Sequence, residues 1–165
     1  MERLKIIQSK IYTWDHIQRQ LSIWRFKDKK IVFSNGCFDV LHLGHIEYLS
    51  KARDMGDILI IGLNSDDSVR RIKGAHRPVN NEEARAITLG ALSFVDGVVL
   101  FGEDTPYELI KLVQPDILVK GKDYDNREII GSDVVKARGG QVVTIELTKG
   151  YSTTHTIELA QKVHL

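Results

Sequence analysis

Residues 58–63 form an unbroken apolar run that limits the possible folds of this chain more than any other segment. A strand with one wet face alternates apolar and polar residues, and this run does not. It therefore predicts a strand that is covered on both faces, as in a parallel sheet. The run is also far too short to cross a bilayer, as is every other apolar run in the chain, so we expect no membrane segment.

Strand patterns alternate with helical patterns from residue 30 onward. Strands are predicted at residues 31–33, 58–63, 97–101, 117–119 and 142–145, and helices at 45–55, 65–72, 81–92, 105–114, 132–138 and 153–163. This order predicts an α/β fold, a Rossmann-like doubly wound sheet of about five parallel strands with helices on both faces. We expect residues 30–165 to form one domain, because a chain of 165 residues can bury one substantial core.

The first 29 residues predict an N-terminal helical extension. Trp14, Ile17, Leu21 and Trp24 recur at helical spacing and must be covered by the main domain or by a second subunit, so we expect a homodimer. Residues 1–30 carry eight Lys and Arg against three Asp and Glu. Most of these charges lie off the apolar stripe, and a solvated face explains them better than nucleic-acid binding does.

The remaining composition indicates a soluble protein in a reducing compartment. The single cysteine, Cys37, excludes an internal disulfide framework and a cysteine-rich zinc site. The N-terminus has no long apolar stretch and no small-residue cleavage site, so no signal peptide is predicted. We therefore expect a cytoplasmic location.

The strongest chemical signal follows the first predicted strand, where His42-x-Gly44-His45 enters a helix. Two histidines three residues apart share one face of a helix. The free N–H groups and partial positive charge of a helix N-terminus favour phosphate, and a glycine lets a ligand approach the backbone. Metal binding and plain surface histidines are the alternatives, although no third histidine or cysteine ligand is evident. We interpret Cys37 as a small residue in a crowded turn rather than a nucleophile.

The segment Gly36-x-Phe38-Asp39-x-x-His42-x-Gly44-His45 resembles the signature of the nucleotidyltransferases that join a nucleoside monophosphate to a phosphorylated alcohol or sugar. The resemblance covers residues 30–165 and includes the hydroxyl-rich run 150–154, which an ordinary helix cap explains equally well on its own. Residues 35–39, 73–74 with 77–80, 103–106 and 115–124 resemble the branch that makes ADP-heptose for lipopolysaccharide. Many members of that branch carry an N-terminal sugar kinase domain; with about thirty residues there, we expect a stand-alone transferase.

The resemblance implies that ATP and D-glycero-D-manno-heptose 1-phosphate react to give ADP-heptose and pyrophosphate, with Mg²⁺ carried on the nucleotide and no protein metal ligand. Catalytic roles are expected for three side chains: His42, His45 and Lys73. The residues expected to bind the nucleotide are Gly36, Cys37, Phe38, Gly44, Lys120, Gly121, Asp123, Ser152 and Thr153. Asp39 and Arg77 are expected to bind the acceptor, Arg77 at its phosphate and Asp39 at a sugar hydroxyl unless it orients a histidine, and Arg85 is expected to brace the loop. A turn residue for Asp39 and a polar loop for 120–123 are the alternatives.

Other functions remain open at this stage. The cytidylyltransferases for glycerol phosphate usually carry an arginine where this chain has Leu147, which favours a different nucleotide or acceptor here. A transferase that uses CTP or GTP with glycerol 3-phosphate or another sugar phosphate is the nearest alternative. A non-catalytic nucleotide-binding module is an alternative of another class. A dinucleotide oxidoreductase is not favoured, because the first strand lacks Gly-x-Gly-x-x-Gly.

Overall fold

The computed structural model of the protein describes residues 2–122, 129–148 and 150–162. In these ranges six parallel strands form one sheet in the order β1-β4-β3-β2-β5-β6. The strands are β1 (Ile11–Tyr12), β2 (Ile31–Gly36), β3 (Ile58–Asn64), β4 (Gly97–Phe101), β5 (Ile117–Gly121) and β6 (Gln141–Ile145). The helices are α1 (Arg3–Gln8), α2 (Trp14–Phe26), α3 (Leu43–Arg53), α4 (Asp66–Lys73), α5 (Glu82–Gly90), α6 (Tyr107–Val113), α7 (Ser132–Ala137) and α8 (Thr153–Lys162).

The predicted parallel sheet is confirmed, and its centre is the most deeply buried part of the protein. All seven residues of β3 are buried, as the unbroken apolar run predicted. Alternate residues of each strand point to opposite faces, so β3 contributes Leu59 to the core under α3 and α5, and Ile60 to the core under α2, α6 and α7. Helices on both faces explain why the strands show no polar alternation.

The N-terminal segment is part of this fold rather than a purely helical addition. Its strand β1 pairs with β4, so the sheet has six strands where about five were predicted. Ile17 and Leu21 of α2 are buried in the same core as Phe33 of β2. The indole of Trp14 donates to the carbonyl of Leu100 at 2.9 Å. The apolar stripe is therefore covered by the chain's own sheet, which removes the reason to infer a homodimer from it.

Most predicted helix starts lie within one or two residues of the observed ones, and two of these helices are capped by side chains. The side chains of Ser65 and Asn81 accept from backbone N–H groups and cap α4 and α5. The predicted start of α3 at residue 45 was wrong: the helix begins at Leu43, after an extended residue that lacks the usual capping side chain. The N-cap residue of α7 is Gly131 at φ 84°, and Ser132 is its first helical residue. No helix in the described ranges has the length and apolar character needed to cross a membrane.

Candidate active site

A cleft of about 710 Å³ opens at the carboxyl ends of β2 and β5. In the sheet, β3 and β4 lie on one side of β2, and β5 and β6 lie on the other, so the strand order switches direction at β2. Such a switch in strand order is where open α/β sheets bind ligands, because the connecting loops diverge there. The walls come from the end of β2, the start of α3, the end of α4, the end of β5 and the residues that lead into α8.

The structure brings nearly all of the predicted site residues together in this cleft. Those that line it are Gly36, Cys37, Phe38, Asp39, His42, Gly44, His45, Lys73, Arg77, Lys120, Gly121, Ser152 and Thr153. The remaining one, Asp123, lies outside the described residues. Residues more than 110 positions apart in the chain therefore share one cavity, and the cleft has both cationic and hydroxyl groups on its walls.

The two histidines form a stacked pair at the start of α3. Their ring centroids are 3.8 Å apart with an interplanar angle of 23°. His42 occupies the N-cap position, and the backbone N–H of His45 donates to its carbonyl at 2.9 Å. The Nδ1 atoms of both rings are buried, and neither has a hydrogen-bond partner among the described residues. Buried polar atoms are normally satisfied, so this pair points to a ligand that completes its hydrogen bonding.

Both imidazoles are neutral at pH 7 in the free protein. Burial, together with the neighbouring His42 ring, lowers the pKa of His45 to about 4. Burial also lowers the pKa of His42 below its ordinary value. A neutral imidazole still has one N–H donor, so each ring can donate one hydrogen bond to an anion without first taking up a proton.

Glycines leave room for the aromatic rings around this turn. A Cβ on Gly44 would lie 3.2 Å from the ring of His42, and one on Gly36 would lie 3.1 Å from the ring of Phe38. Phe38 itself has a left-handed backbone with φ 43°, and its ring meets that of His45 edge-on at a centroid distance of 5.3 Å. The residues that follow β2 thus pack against the histidine pair.

The structure gives Asp39 a different use from the predicted contact with substrate. Its carboxylate accepts from Nε of Arg77 at 2.6 Å and from the backbone N–H groups of Val79 at 2.8 Å and Asn80 at 3.0 Å. The side chain is 1% exposed. Burial raises the pKa of Asp39, but these three hydrogen bonds outweigh that effect and hold the pKa below its ordinary value. The carboxylate is anionic and fully engaged with the loop.

Arg85 of α5 is a buried hub that braces the same loop, as predicted. Its guanidinium donates to the carbonyls of Cys37 at 2.7 Å, Asn64 at 2.8 Å and Asn80 at 3.0 Å, and it pairs with Asp66 at 2.7 Å. Its side chain is 0% exposed. These bonds join the ends of β2 and β3 to α4 and to the loop before α5. Arg85 therefore helps to fix the shape of the cleft but is not one of the residues that line it.

The remaining cations differ in exposure. Lys73 ends α4, is exposed, and forms no ion pair with a described residue. Lys120 is buried and donates to the side-chain carbonyl of Asn35. Burial raises the pKa of the Cys37 thiol, although Lys73, Arg85 and Arg77 oppose the shift, so Cys37 is a neutral thiol at pH 7. That state agrees with its interpretation as a structural residue in the turn.

The start of α8 forms another wall of the cleft. The hydroxyl of Thr153 donates to the carbonyl of Val40 at 3.3 Å, which fastens α8 to the loop between β2 and α3. The ring of Tyr151 lies near that of His42, with centroids 6.3 Å apart. Thr148 donates from its hydroxyl to a carboxylate oxygen of Glu47 on α3. These contacts hold the hydroxyl-rich run beside the histidine pair.

Sequence reasoning missed some residues of the cleft. Tyr48 lies three residues after His45 and so on the same helix face, a spacing that could have revealed it. Its hydroxyl is 2.8 Å from Oγ of Ser34 and donates to the carbonyl of Val119 at 3.0 Å. Asn64 at the end of β3 donates to Oγ of Ser68 at 2.9 Å and carries no motif signal. Among the described residues, no group of three or more metal-ligating side chains comes together.

Comparison with known proteins agrees with this geometry. The profile described as cytidylyltransferase-like matches residues 33–159, so the chain belongs to the cytidylyltransferase-like family of nucleotidyltransferases. Curated relatives include the bifunctional protein HldE of Wolinella succinogenes, which is 52% identical over 93% of this chain. HldE of Helicobacter hepaticus is 51% identical over 94%. The chain spans about a third of the length of these relatives, 32% and 31%.

Solved structures support the same fold. The lipopolysaccharide core biosynthesis protein of Thermoplasma volcanium is 30% identical, with a TM-score of 0.58, and the match covers 75% of this chain and 99% of that one. The pantoate-β-alanine ligase of Francisella tularensis has a TM-score of 0.59 and 18% identity, over 93% of this chain and 77% of that one. At that identity the ligase likeness speaks for the fold alone.

Proposed function

We propose that this chain is an adenylyltransferase that joins ATP and D-glycero-D-manno-heptose 1-phosphate to give ADP-heptose and pyrophosphate, for lipopolysaccharide core biosynthesis. The observation that carries the proposal is the stacked pair of His42 and His45, whose buried Nδ1 atoms lack partners in the described chain and which share a cleft with the hydroxyls of α8. About half of the residues are identical to those of HldE proteins, which contain an ADP-heptose synthase domain.

In the proposed reaction, a phosphate oxygen of the sugar 1-phosphate attacks the α-phosphorus of ATP. The new P–O bond forms as the bond between the α-phosphorus and the bridging oxygen breaks, and the electron pair leaves with pyrophosphate. A phosphate monoester is already anionic at neutral pH, so the attacking group needs no strong base. The task of the protein is then to align the two phosphates and to stabilise the charge that grows on the leaving group.

The α- and β-phosphates would bind at the start of α3, beside His42 and His45. The N-terminus of α3 supplies backbone N–H groups, and each neutral imidazole supplies one side-chain N–H. Lys73 would neutralise charge on the α-phosphate and the leaving group, since it is exposed at the cleft wall and has no ion pair with a described residue. Ser152 and Thr153 would hold the β- and γ-phosphates from the start of α8.

The other predicted contacts follow from the position of each wall. Gly36, Cys37 and Phe38 at the end of β2 would offer backbone donors, and Gly44 would let the nucleotide approach α3 closely. Lys120 and Gly121 at the end of β5 would meet the ribose and base, together with Asp123, which remains a prediction from the sequence. Arg77 would bind the phosphate of the acceptor.

Mg²⁺ enters this proposal as part of the substrate, Mg–ATP. The cleft presents imidazole, amine, guanidinium and hydroxyl groups; of the two carboxylates that line it among the described residues, buried Asp39 is engaged by three donors and Asp104 pairs with Arg71 at 2.9 Å. Mg²⁺ prefers oxygen ligands and keeps several waters, so it fits the triphosphate better than this donor set.

The deciding experiment measures pyrophosphate release from a panel of nucleotides and acceptors. We expect turnover with ATP and a heptose 1-phosphate, and much slower turnover when either is replaced by CTP, GTP, glycerol 3-phosphate or another sugar phosphate. Preferential use of CTP with glycerol 3-phosphate would overturn the proposal. Stoichiometric nucleotide binding with no pyrophosphate from any acceptor would identify a non-catalytic module instead.

One observation keeps cytidylyltransfer as a second candidate, since the matching family profile is described as cytidylyltransferase-like. Leu147 argues against glycerol phosphate as the acceptor. It lines the cleft and is half exposed where the cytidylyltransferases for glycerol phosphate usually carry an arginine. An apolar side chain cannot replace the charge of a guanidinium toward a phosphate.

Assembly and location stay predictions. A homodimer is not required by the apolar stripe of α2, which packs on the sheet. Sedimentation at micromolar concentration tests it directly, and a monomer there would exclude it. A cytoplasmic location is proposed because the reaction consumes ATP.

A further inference from the structure

We propose that Asp39 is a positioning residue that aims the guanidinium of Arg77 at the phosphate of the sugar acceptor. The inference rests on the proposed function and deepens it, because it separates the residue that binds the acceptor from the one that holds the binder in place. It replaces the simpler expectation that both side chains contact substrate.

Asp39 fastens the loop of residues 77–80 by several hydrogen bonds. Oδ1 of Asp39 accepts from the N–H groups of Val79 and Asn80, while its other oxygen accepts from Nε of Arg77. The side-chain amide of Asn80 returns a bond to the carbonyl of Asp39 at 2.9 Å. One buried residue at the end of β2 therefore fixes both the backbone and the side chain of residues 77–80.

Asp39 itself is poorly suited to bind the acceptor phosphate. Its carboxylate is 1% exposed, anionic, and already accepts three hydrogen bonds. A carboxylate has no proton to donate to a phosphate oxygen, and its charge repels that group. Direct contact between Asp39 and the acceptor phosphate is therefore unfavourable in both geometry and charge.

Arg77 still presents hydrogen-bond donors to the cleft. Its bond to Asp39 uses Nε, so the two Nη groups have no partner among the described residues. The side chain is 19% exposed and lines the cleft on the α4 side, near Lys73. A guanidinium held at one edge presents its remaining N–H donors in a fixed plane, which suits bidentate binding of a phosphate. The acceptor phosphate must come to this side if the triphosphate lies along α3 and α8.

The test compares Asp39→Asn with the wild type in the pyrophosphate-release assay, with heptose 1-phosphate and ATP varied in turn. The amide can still accept from the loop N–H groups, but it loses the charge that holds Nε of Arg77. We expect kcat/KM for the acceptor to fall at least about tenfold and KM for ATP to change by less than about twofold. An unchanged acceptor parameter, or an equal loss for both substrates, would overturn the proposal.

Asp66→Asn is the matched control. It removes the negative charge from the pair with Arg85, the other residue that holds the same loop, although the amide oxygen can still accept from that guanidinium; Arg77 and Asp39 are unchanged. We expect it to lower thermal stability without a selective loss for the acceptor. A selective loss in Asp66→Asn equal to that in Asp39→Asn would mean that loosening the loop is sufficient, and the assignment would fall.

A double-mutant cycle gives the sharpest readout. In an Arg77→Ala background, Asp39→Asn should cost less than about a further twofold in kcat/KM for the acceptor, because its effect passes through Arg77. Independent, multiplying losses would contradict it. If Asp39→Asn does not fold, Arg77→Lys decides: it keeps the charge but loses the planar donors, so full acceptor kinetics in that variant would overturn the proposal.

The same assay separates the two levels of inference. Wild-type turnover of the heptose phosphate with no selective effect of Asp39→Asn removes this assignment alone. If the wild-type protein releases no more pyrophosphate with the heptose phosphate than without an acceptor, the proposed function and this assignment fall together.

Discussion

His42 and His45 belong to one turn of backbone, yet the second ring is the more deeply enclosed, between its partner and Phe38. We expect His45→Ala to lower kcat for pyrophosphate release by about 10²–10³-fold, the usual effect of losing one donor aimed at developing charge. Steady-state kinetics with both substrates saturating measures this, and circular dichroism confirms the fold. An unchanged kcat would remove the histidine from the mechanism.

The lowered pKa of His45 also predicts a dependence of stability on pH. Its folded pKa of about 4 lies below the ordinary value of 6.5, so between these values the unfolded chain binds a proton that the folded chain excludes. Stability is therefore full above pH 6.5 and falls as the pH is lowered toward 4, by as much as about 3 kcal/mol. Urea unfolding across this range should give a steeper loss for the wild type than for His45→Ala. Parallel curves would contradict the burial of an uncharged ring.

At the scale of a single element, the first turn of α3 depends on Gly44. In Gly44→Ala the new methyl group would lie 3.2 Å from the ring of His42, which must give by a few tenths of an ångström, and would be in ordinary contact with Cβ of Tyr151 at 3.4 Å. Alanine favours a helix over glycine by up to about 1 kcal/mol, so stability should hold or rise. We expect kcat/KM for ATP to fall about tenfold through displaced donors. Thermal melts test the expected stability, and steady-state kinetics tests the expected loss of kcat/KM for ATP. A fully active variant would show that the His42 ring has room to move.

Replacing Arg85 should cause a large loss of stability, because its side chain joins several elements. Arg85→Met removes the partner of Asp66 and the donor to three carbonyls in a buried position, so the free energy of unfolding should fall by about 3–5 kcal/mol. Arg71→Met is the control, because Arg71 pairs with Asp104 on the exposed surface. That change should cost less than about 1 kcal/mol. Equal costs in urea unfolding would contradict the role of Arg85 as a buried brace.

Most elements could be predicted from the sequence, and the exceptions share a physical cause. The strand β3 was visible because it is apolar throughout, and α5 because Asn81 and two glutamates mark its first turn. The strand β1 has only two residues, too few to show a period, and its place in the sheet depends on pairing with β4. The start of α3 was missed because His42 caps it with backbone alone.

The candidate site shows a similar division. Local motifs predicted the members of the cleft, since the ends of β2 and β5 and the start of α8 converge by topology. The bond between Asp39 and Arg77 could not be predicted, because those residues lie 38 positions apart and no spacing rule links them. Likewise, the lowered pKa of His45 depends on burial, which only the folded chain creates.

On the scale of the whole molecule, the first 29 residues should not be separable from the rest. Deleting residues 2–29 removes α1, β1 and α2, and so uncovers Phe33 and Ile60 on one face of the sheet. We expect the remaining chain to aggregate or to melt at a much lower temperature, because exposed apolar surface of this kind is costly. Solubility and thermal melting of the shortened chain test this. A soluble fragment with an unchanged melt would show that the N-terminal segment is an appendage.

The brevity of β1 has a consequence for behaviour in concentrated solution. A long, flat edge strand exposes a ladder of unpaired amides on which a foreign chain can build, the first step toward fibrils or exchanged segments. Here that margin of the sheet offers only two residues, and the Trp24 ring meets Tyr12 edge-on beside it. A strand from another molecule can therefore form few hydrogen bonds at β1. The other edge strand, β6, has five residues and is the one to protect if the protein is engineered for storage.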